Sequence, residues 1–170
     1  MKNLLKVAAV ALCMVFMSSF AKAQTKIGYI AVDQIVPLMP EYKTFQTTMT
    51  AYQQTFVEKF NGLQTELQNK TKDYEAKQAT MNDATKTAAV GDINDLQKRL
   101  TDYQNTAQQQ IEAKSQEQMK PIMDKLKVAI TAVAKEKGYT YVINSSSTDF
   151  IVAPDADNLL AAVKLKLALK

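Results

Sequence analysis

The sequence predicts an α+β protein: a small β-strand head bearing a long antiparallel α-helical coiled-coil hairpin, with a further helix at the C-terminus. Three observations point there. Between Glu41 and Lys137 the chain is rich in Gln, Lys, Asp, Glu, Ala and Thr and holds one proline (Pro121) and two glycines (Gly62 and Gly91), a composition that supports helix and breaks it rarely. Within that stretch large apolar residues recur at spacings of three and four, as on one face of a helix packed against another. Short β-branched and aromatic runs lie on both sides of it, so the head draws on both ends of the chain.

The elements follow in order. Lys26–Val32 (KIGYIAV) is an apolar run bounded by polar residues and reads as a buried strand, with Gly28 marking a bulge or a close backbone approach. Residues 33–40 connect it to the first helix. Pro40 suits the first helical turn, where its missing N–H is no loss, and Glu41 suits the positive helix end. Phe45, Met49, Tyr52, Phe56, Phe60, Leu63 and Leu67 form the first stripe, which then thins to Tyr74 and Met81. Met81–Ala84 is the predicted tip, with Asn82 or Asp83 capping the return helix. Gly91 is a rival tip that makes the arms less equal. A tip near residue 83 implies arms of about 40 residues and about 60 Å each.

The return helix carries Ile93, Leu96, Leu100, Tyr103 and Ala107, then a polar stretch, residues 108–118, in which Ile111 is the one large apolar residue. The stripe recovers at Met119, Ile122, Met123, Leu126, Ile130 and Val133. Weak stripes near the tip and over 108–118 predict a pliable arm, because little apolar surface is buried there. Pro121 cannot donate its helical hydrogen bond, which predicts a bend about one turn before it. Gly138 is the expected C-cap. Tyr139–Asn144 and Asp149–Val152 read as two strands of a hairpin turned by Ser145–Ser147, and Pro154–Asp157 opens a final amphipathic helix, Leu159–Leu169. The predicted head residues are Ile27, Tyr29, Ile30, Val32, Tyr141, Val142, Ile143, Phe150, Ile151 and Val152.

The first 23 residues have their own logic. Lys2 and Lys6 precede an apolar run from Val7 to Phe16, and Ala21-Lys22-Ala23 matches a signal-peptidase site, so cleavage is expected before Gln24 and the protein is expected to be exported. The run is short for a membrane span, which needs about 20 residues. Cys13 lies mid-run after bulky Leu12, a poor setting for a lipid anchor. Removal of residues 1–23 takes away Lys2, Lys6 and Lys22 and no acid, so the formal charge falls from +4 to +1. That balance argues against nucleic acid as a partner. Cys13 is the single cysteine, so disulfides are excluded from the mature chain. The expected division is 1–23 signal peptide, 24–40 and 138–170 head, and 41–137 arm. A head of about fifty residues buries too little surface to be comfortable alone, which predicts oligomerisation.

Chemistry has little foothold. The chain has no histidine and four scattered glycines, so the usual general base, soft metal ligands and glycine-rich phosphate loop are missing. Ser145–Ser147 reads as a turn and not as a nucleophile. Asp155 and Asp157 suit a helix N-cap better than a hard-cation site. No enzyme, metal or cofactor is expected. The lysine-rich end, residues 164–170, suits either a membrane-surface helix or, preferably, a cover for the sheet of the head.

A signal peptide, the KIGYIAVDQIV strand, MPEY opening a long helix, the KPIMDKLKVAI return and AKEKGYTYVINSS leading into strands together resemble the Skp/OmpH family of periplasmic chaperones, over essentially the whole mature chain. The resemblance implies a homotrimer whose strands form a central β-barrel body. From it three helical tentacles would enclose unfolded outer-membrane β-barrel proteins, in the periplasm and without ATP. The best-known members have strongly basic tentacles. Here Glu41–Met81 holds five lysines and five acids, and Asp83–Lys137 nine basic and eight acidic residues, which puts charge-steered capture in doubt.

The functional expectation is therefore a holdase that prevents aggregation of outer-membrane proteins in transit. Client-contact candidates are Tyr74, Met81, Tyr103, Met119 and Met123, since tyrosine and methionine suit promiscuous contact. Weak contact with a membrane surface or lipopolysaccharide is a secondary expectation. The alternative is a coiled-coil spacer or adaptor of the envelope, docking through the tip near Met81–Gly91.

Overall fold

A computed structural model of the protein describes residues 25–148 and 150–169. The expected signal peptide and its cleavage before Gln24 lie outside the described residues, as does Asp149. Strand β1 (Ile27–Ile30) leads through two 3-10 turns, Val32–Gln34 and Val36–Leu38, into helix α1 (Pro40–Lys77). Helix α2 (Asp83–Lys137) returns, strand β2 (Tyr141–Asn144) follows, and a 3-10 turn at Asp155–Asp157 precedes helix α3 (Leu160–Lys166).

The hairpin is as its sequence indicates. Pro40 occupies the first turn of α1, and α2 begins where Asn82 Oδ1 accepts from the Thr85 amide at 2.9 Å. Gly91 lies within α2, so the tip is at 78–82. Gly138 caps α2 in the left-handed conformation at φ 72°, the region where a side chain is strained. The helices are less equal than expected: α1 has 38 residues and α2 has 55. At 1.5 Å per residue they span about 57 and 83 Å. The surplus of α2 is its C-terminal third, which enters the head. Helix α2 continues through Pro121, where the Glu117 carbonyl has lost the amide that would normally reach it.

That third of α2 makes most of the head core. Ile122, Leu126, Ala129, Val133 and Ala134 pack with Ile30, Ile35, Met39, Tyr139, Leu159 and Val163. The face recurs every three or four residues, so α2 lies against the strands as a ridge. Helix α3 covers part of this core through Val163, and it is shorter than the Leu159–Leu169 expected.

The strands differ from expectation. β1 and β2 pair in parallel, Ile27 opposite Tyr141 and Ile30 opposite Asn144, with the whole arm as the crossover that a parallel pair requires. Val32 is not in β1; it starts the first 3-10 turn. Phe150–Val152 is not a strand: Ile151 and Val152 form a bend, and Ile151 is fully exposed. Contacts at the two edges of β1 explain why the hairpin does not form. The serine turn is tied toward β1, with Ser145 N donating to Ile30 O at 2.9 Å and Asp33 N donating to Ser146 Oγ at 3.1 Å. The chain must then reach the opposite edge of β1, where Asn158 bridges Tyr29 and Leu159 N donates to Tyr29 O at 2.9 Å. Phe150 marks the crossing, its ring 5.5 Å from that of Tyr29.

Gly28 is the close approach its position suggests. A Cβ there would stand 3.1 Å from Tyr139 Cδ1, 3.2 Å from Leu159 Cδ1 and 3.3 Å from the Asp157 carbonyl oxygen. The sheet also leaves one face bare. Ile27, Tyr141 and Ile143 are exposed large apolar residues, and the register places Ile27 beside Tyr141 and Tyr29 beside Ile143. Parallel strands are normally covered on both faces.

Candidate functional site

The arm is the largest feature, and its seam sets what it can do. Of the α1 stripe, Met49 is buried and Phe45, Tyr52, Phe56, Phe60, Leu63 and Leu67 are half-buried. On α2, Leu96 and Ala107 are buried and Ile93, Leu100 and Tyr103 half-buried. These stripe residues are all at least half-buried, while the later part of the α2 stripe, from Met119 to Val133, serves the head. Two long antiparallel helices with no third layer bury only a narrow strip, and the rest of each surface faces solvent.

Polar contacts clip the seam at intervals. Lys70 donates to Asp92 Oδ2 across the arms at 2.8 Å, and Tyr103 OH donates to the Phe56 carbonyl at 3.4 Å. At the base, Lys125 pairs with Glu41 in the first turn of α1. The Lys125 hydrogen bond is the main reason that the Glu41 carboxyl sits below its ordinary value. The two ion pairs are solvent-exposed and add little to stability.

Between the clips the seam is open. Phe56, Val57 and Phe60 of α1 face Ala107 and Ile111 of α2 across a groove of about 630 Å³. Phe56 meets Tyr103 across the seam, its ring 6.1 Å away, but beyond Tyr103 the α2 wall of the groove offers only Ala107 and Ile111 as apolar residues among Gln104, Gln108, Glu112, Ser115 and Gln116. The thin stripe was the sequence signal for this groove. Nothing in the spacing singled out Val57, which is 48% exposed beside it.

The five candidate contact residues do not form one surface. Tyr74 and Met81 are half-buried near the tip. Tyr103 belongs to the seam, its ring 6.1 Å from that of Phe56 with Lys59 Nζ 5.2 Å above it. Met119 packs against the head core. Met123 is exposed beside the head and lines a second cavity of about 650 Å³ with Ile30, Ile130 and Val142.

The polar clusters have structural partners. Ser146 bonds Asp33, and Asp157 accepts from Tyr139. Neither Asp155 nor Asp157 caps α3; Asn158 Oδ1 accepts from the Leu160 amide at 2.9 Å. Among the described residues no group of three or more His, Cys, Asp or Glu side chains is placed to hold a metal ion. No helix among them is long and apolar enough to cross a membrane.

Comparison with known proteins agrees with this architecture. Residues 26–167 match the family described as outer membrane protein (OmpH-like). A crystal structure of an OmpH-like protein from Caulobacter crescentus CB15, itself described as a candidate outer membrane chaperone, superposes with a TM-score of 0.69 at 16% identity. The superposition covers 83% of this chain and 82% of that one. At that identity it speaks for the fold. No curated protein matches the sequence.

Proposed function

The chain belongs to the OmpH-like outer membrane protein family, and from that premise we propose that it is an ATP-independent periplasmic holdase for unfolded outer-membrane β-barrel proteins. The observation that carries the reading is the arm itself: two helices joined by a narrow seam that is left open at its middle. A continuous stripe of large apolar residues would zip the helices together. An interrupted one leaves aromatic surface accessible in short patches, suited to many weak contacts with a chain that has no fixed shape.

We assign the working unit as a homotrimer. The bare face of the sheet (Ile27, Tyr141, Ile143) and the uncovered Ile151 and Val152 support this, since such a surface is unfavourable in water and suits burial against other copies. With the heads joined, three arms would surround a common space for one client. Of the five contact candidates, Tyr74, Met81 and Met123 keep a client-facing role in this scheme, Tyr103 keeps one where it lines the mid-arm groove, and Met119 acts through the head.

The test is an aggregation assay with residues 24–170 and no nucleotide, into which a urea-unfolded outer-membrane β-barrel protein is diluted. The expected result is suppression of turbidity near three chains per client, from a species whose sedimentation mass is that of a trimer. Unchanged turbidity at several-fold excess of folded, helical protein would sink the holdase and leave a coiled-coil spacer or adaptor.

A further inference from the structure

The mid-arm groove has a chemistry of its own. Its floor is Phe56, Val57 and Phe60 on one side and Tyr103, Ala107 and Ile111 on the other. Helix pairs ordinarily fill such space to crystal-like density. Rings that face a gap forgo dispersion contacts, so an apolar group entering here gains contacts that the fold does not supply. Its volume, about 630 Å³, lies in the range of sites that take small ligands or side-chain clusters.

The rim decides what can enter. It carries the amides of Gln53, Gln104, Gln108 and Gln116, and the one charged lining residue is Glu112, whose carboxylate already accepts from Gln116 at 3.3 Å. Lys59 is not among the lining residues, and its Nζ is held 5.2 Å over the ring of Tyr103 at the edge of the groove. A phosphate or an anionic headgroup would therefore meet a carboxylate and no lining cation. A bare acyl chain would match the floor and leave the amide rim without partners. Glutamine amides both donate and accept, as the peptide group does.

We propose that this groove seats an uncharged, extended segment of unfolded polypeptide, with an aromatic or large aliphatic side chain on the apolar floor beside Phe56 and Val57 and its backbone along the glutamine rim. This rests on the holdase reading and deepens it by naming what each arm recognises: neutral apolar sequence, in the crevice of a single arm, without charge steering. Binding then persists when salt screens electrostatic attraction.

The chain contains no tryptophan, so a peptide carrying one reports its own binding by fluorescence. The probe is a nine-residue alternating peptide of Trp, Val, Thr and Ser, with a twin in which two threonines are lysine. Wild-type residues 24–170 should bind the neutral peptide with an affinity that changes less than about twofold from about 50 to 500 mM salt. Ala107→Phe, which fills the groove, should weaken it by at least about tenfold. Val57→Glu alters the exposed lip without touching the seam; it should weaken the neutral peptide and favour the lysine twin. Circular dichroism verifies that both variants remain helical. Peptide binding that survives in both variants, collapses with salt, or is displaced equally by any neutral detergent overturns the proposal. The two readings separate cleanly: if wild-type protein suppresses client aggregation but does not bind the neutral peptide, the groove assignment fails and the holdase stands. If the peptide binds and aggregation is unaffected, the reverse holds.

Discussion

The hydroxyl of Tyr139 donates to Asp157 Oδ1 at 2.9 Å, and it also lies 3.1 Å from the Ala156 carbonyl. This joins the residue that follows the α2 cap to the turn that precedes α3, closing the head around Gly28. Burial, and then the bond to Asp157, raise the phenol above its ordinary value of 10.0. A raised folded-state pKa means that the neutral phenol's contribution is fully present below the unfolded value and is lost as pH rises through the folded one. Tyr139→Phe should therefore be less stable than wild type at neutral pH. The difference should narrow above about pH 10, as read by urea unfolding across pH. A constant difference over that range would show that the hydroxyl bond does not carry the effect.

Gly28→Ala should destabilise the head by about 1–3 kcal/mol, in the manner of overpacking. Two of the three nearest groups are side-chain carbons of the buried Tyr139 and Leu159, and the third is the backbone carbonyl of Asp157. Thermal unfolding measures the loss. A melting temperature equal to wild type would mean that the 157–159 segment yields freely and holds the outer edge of β1 only loosely.

Asn82→Ala should act at the opposite end. Losing the side-chain cap costs about 1 kcal/mol of helix stability, confined to the tip because the local seam is thin. Amide exchange at Thr85 and Lys86 should accelerate while that of Leu126 and Val133 is unchanged. Acceleration throughout α2 would instead mean that arm and head unfold as one unit.

The arm was legible because its information is local. Spacings of three and four, Asn82 at the return and Gly138 at the end each act within a few residues, and each does what its position suggests. The head was legible only in part. Ile27–Ile30 and Tyr141–Asn144 have the look of strands, but their parallel register depends on contacts across the full arm, which no local pattern encodes. Phe150–Val152 has the same apolar, β-branched look and remains unpaired, because the chain there must cross from one sheet edge to the other. The groove falls between these cases: the poverty of 108–118, part of one wall, was visible, but its lining at Phe56, Val57 and Phe60 needed the register of two helices.

The parallel pairing also imposes an order in time. Residues such as Val32 and Asn144, in contact here, are 112 positions apart, and the loop between them must be closed before their contact is gained. The arm's hairpin needs only its own tip and can form as soon as both its strands of sequence are present. The head cannot close until Leu159 and Val163 are available to its core. A chain delivered N-terminus first would thus be an arm before it is a head.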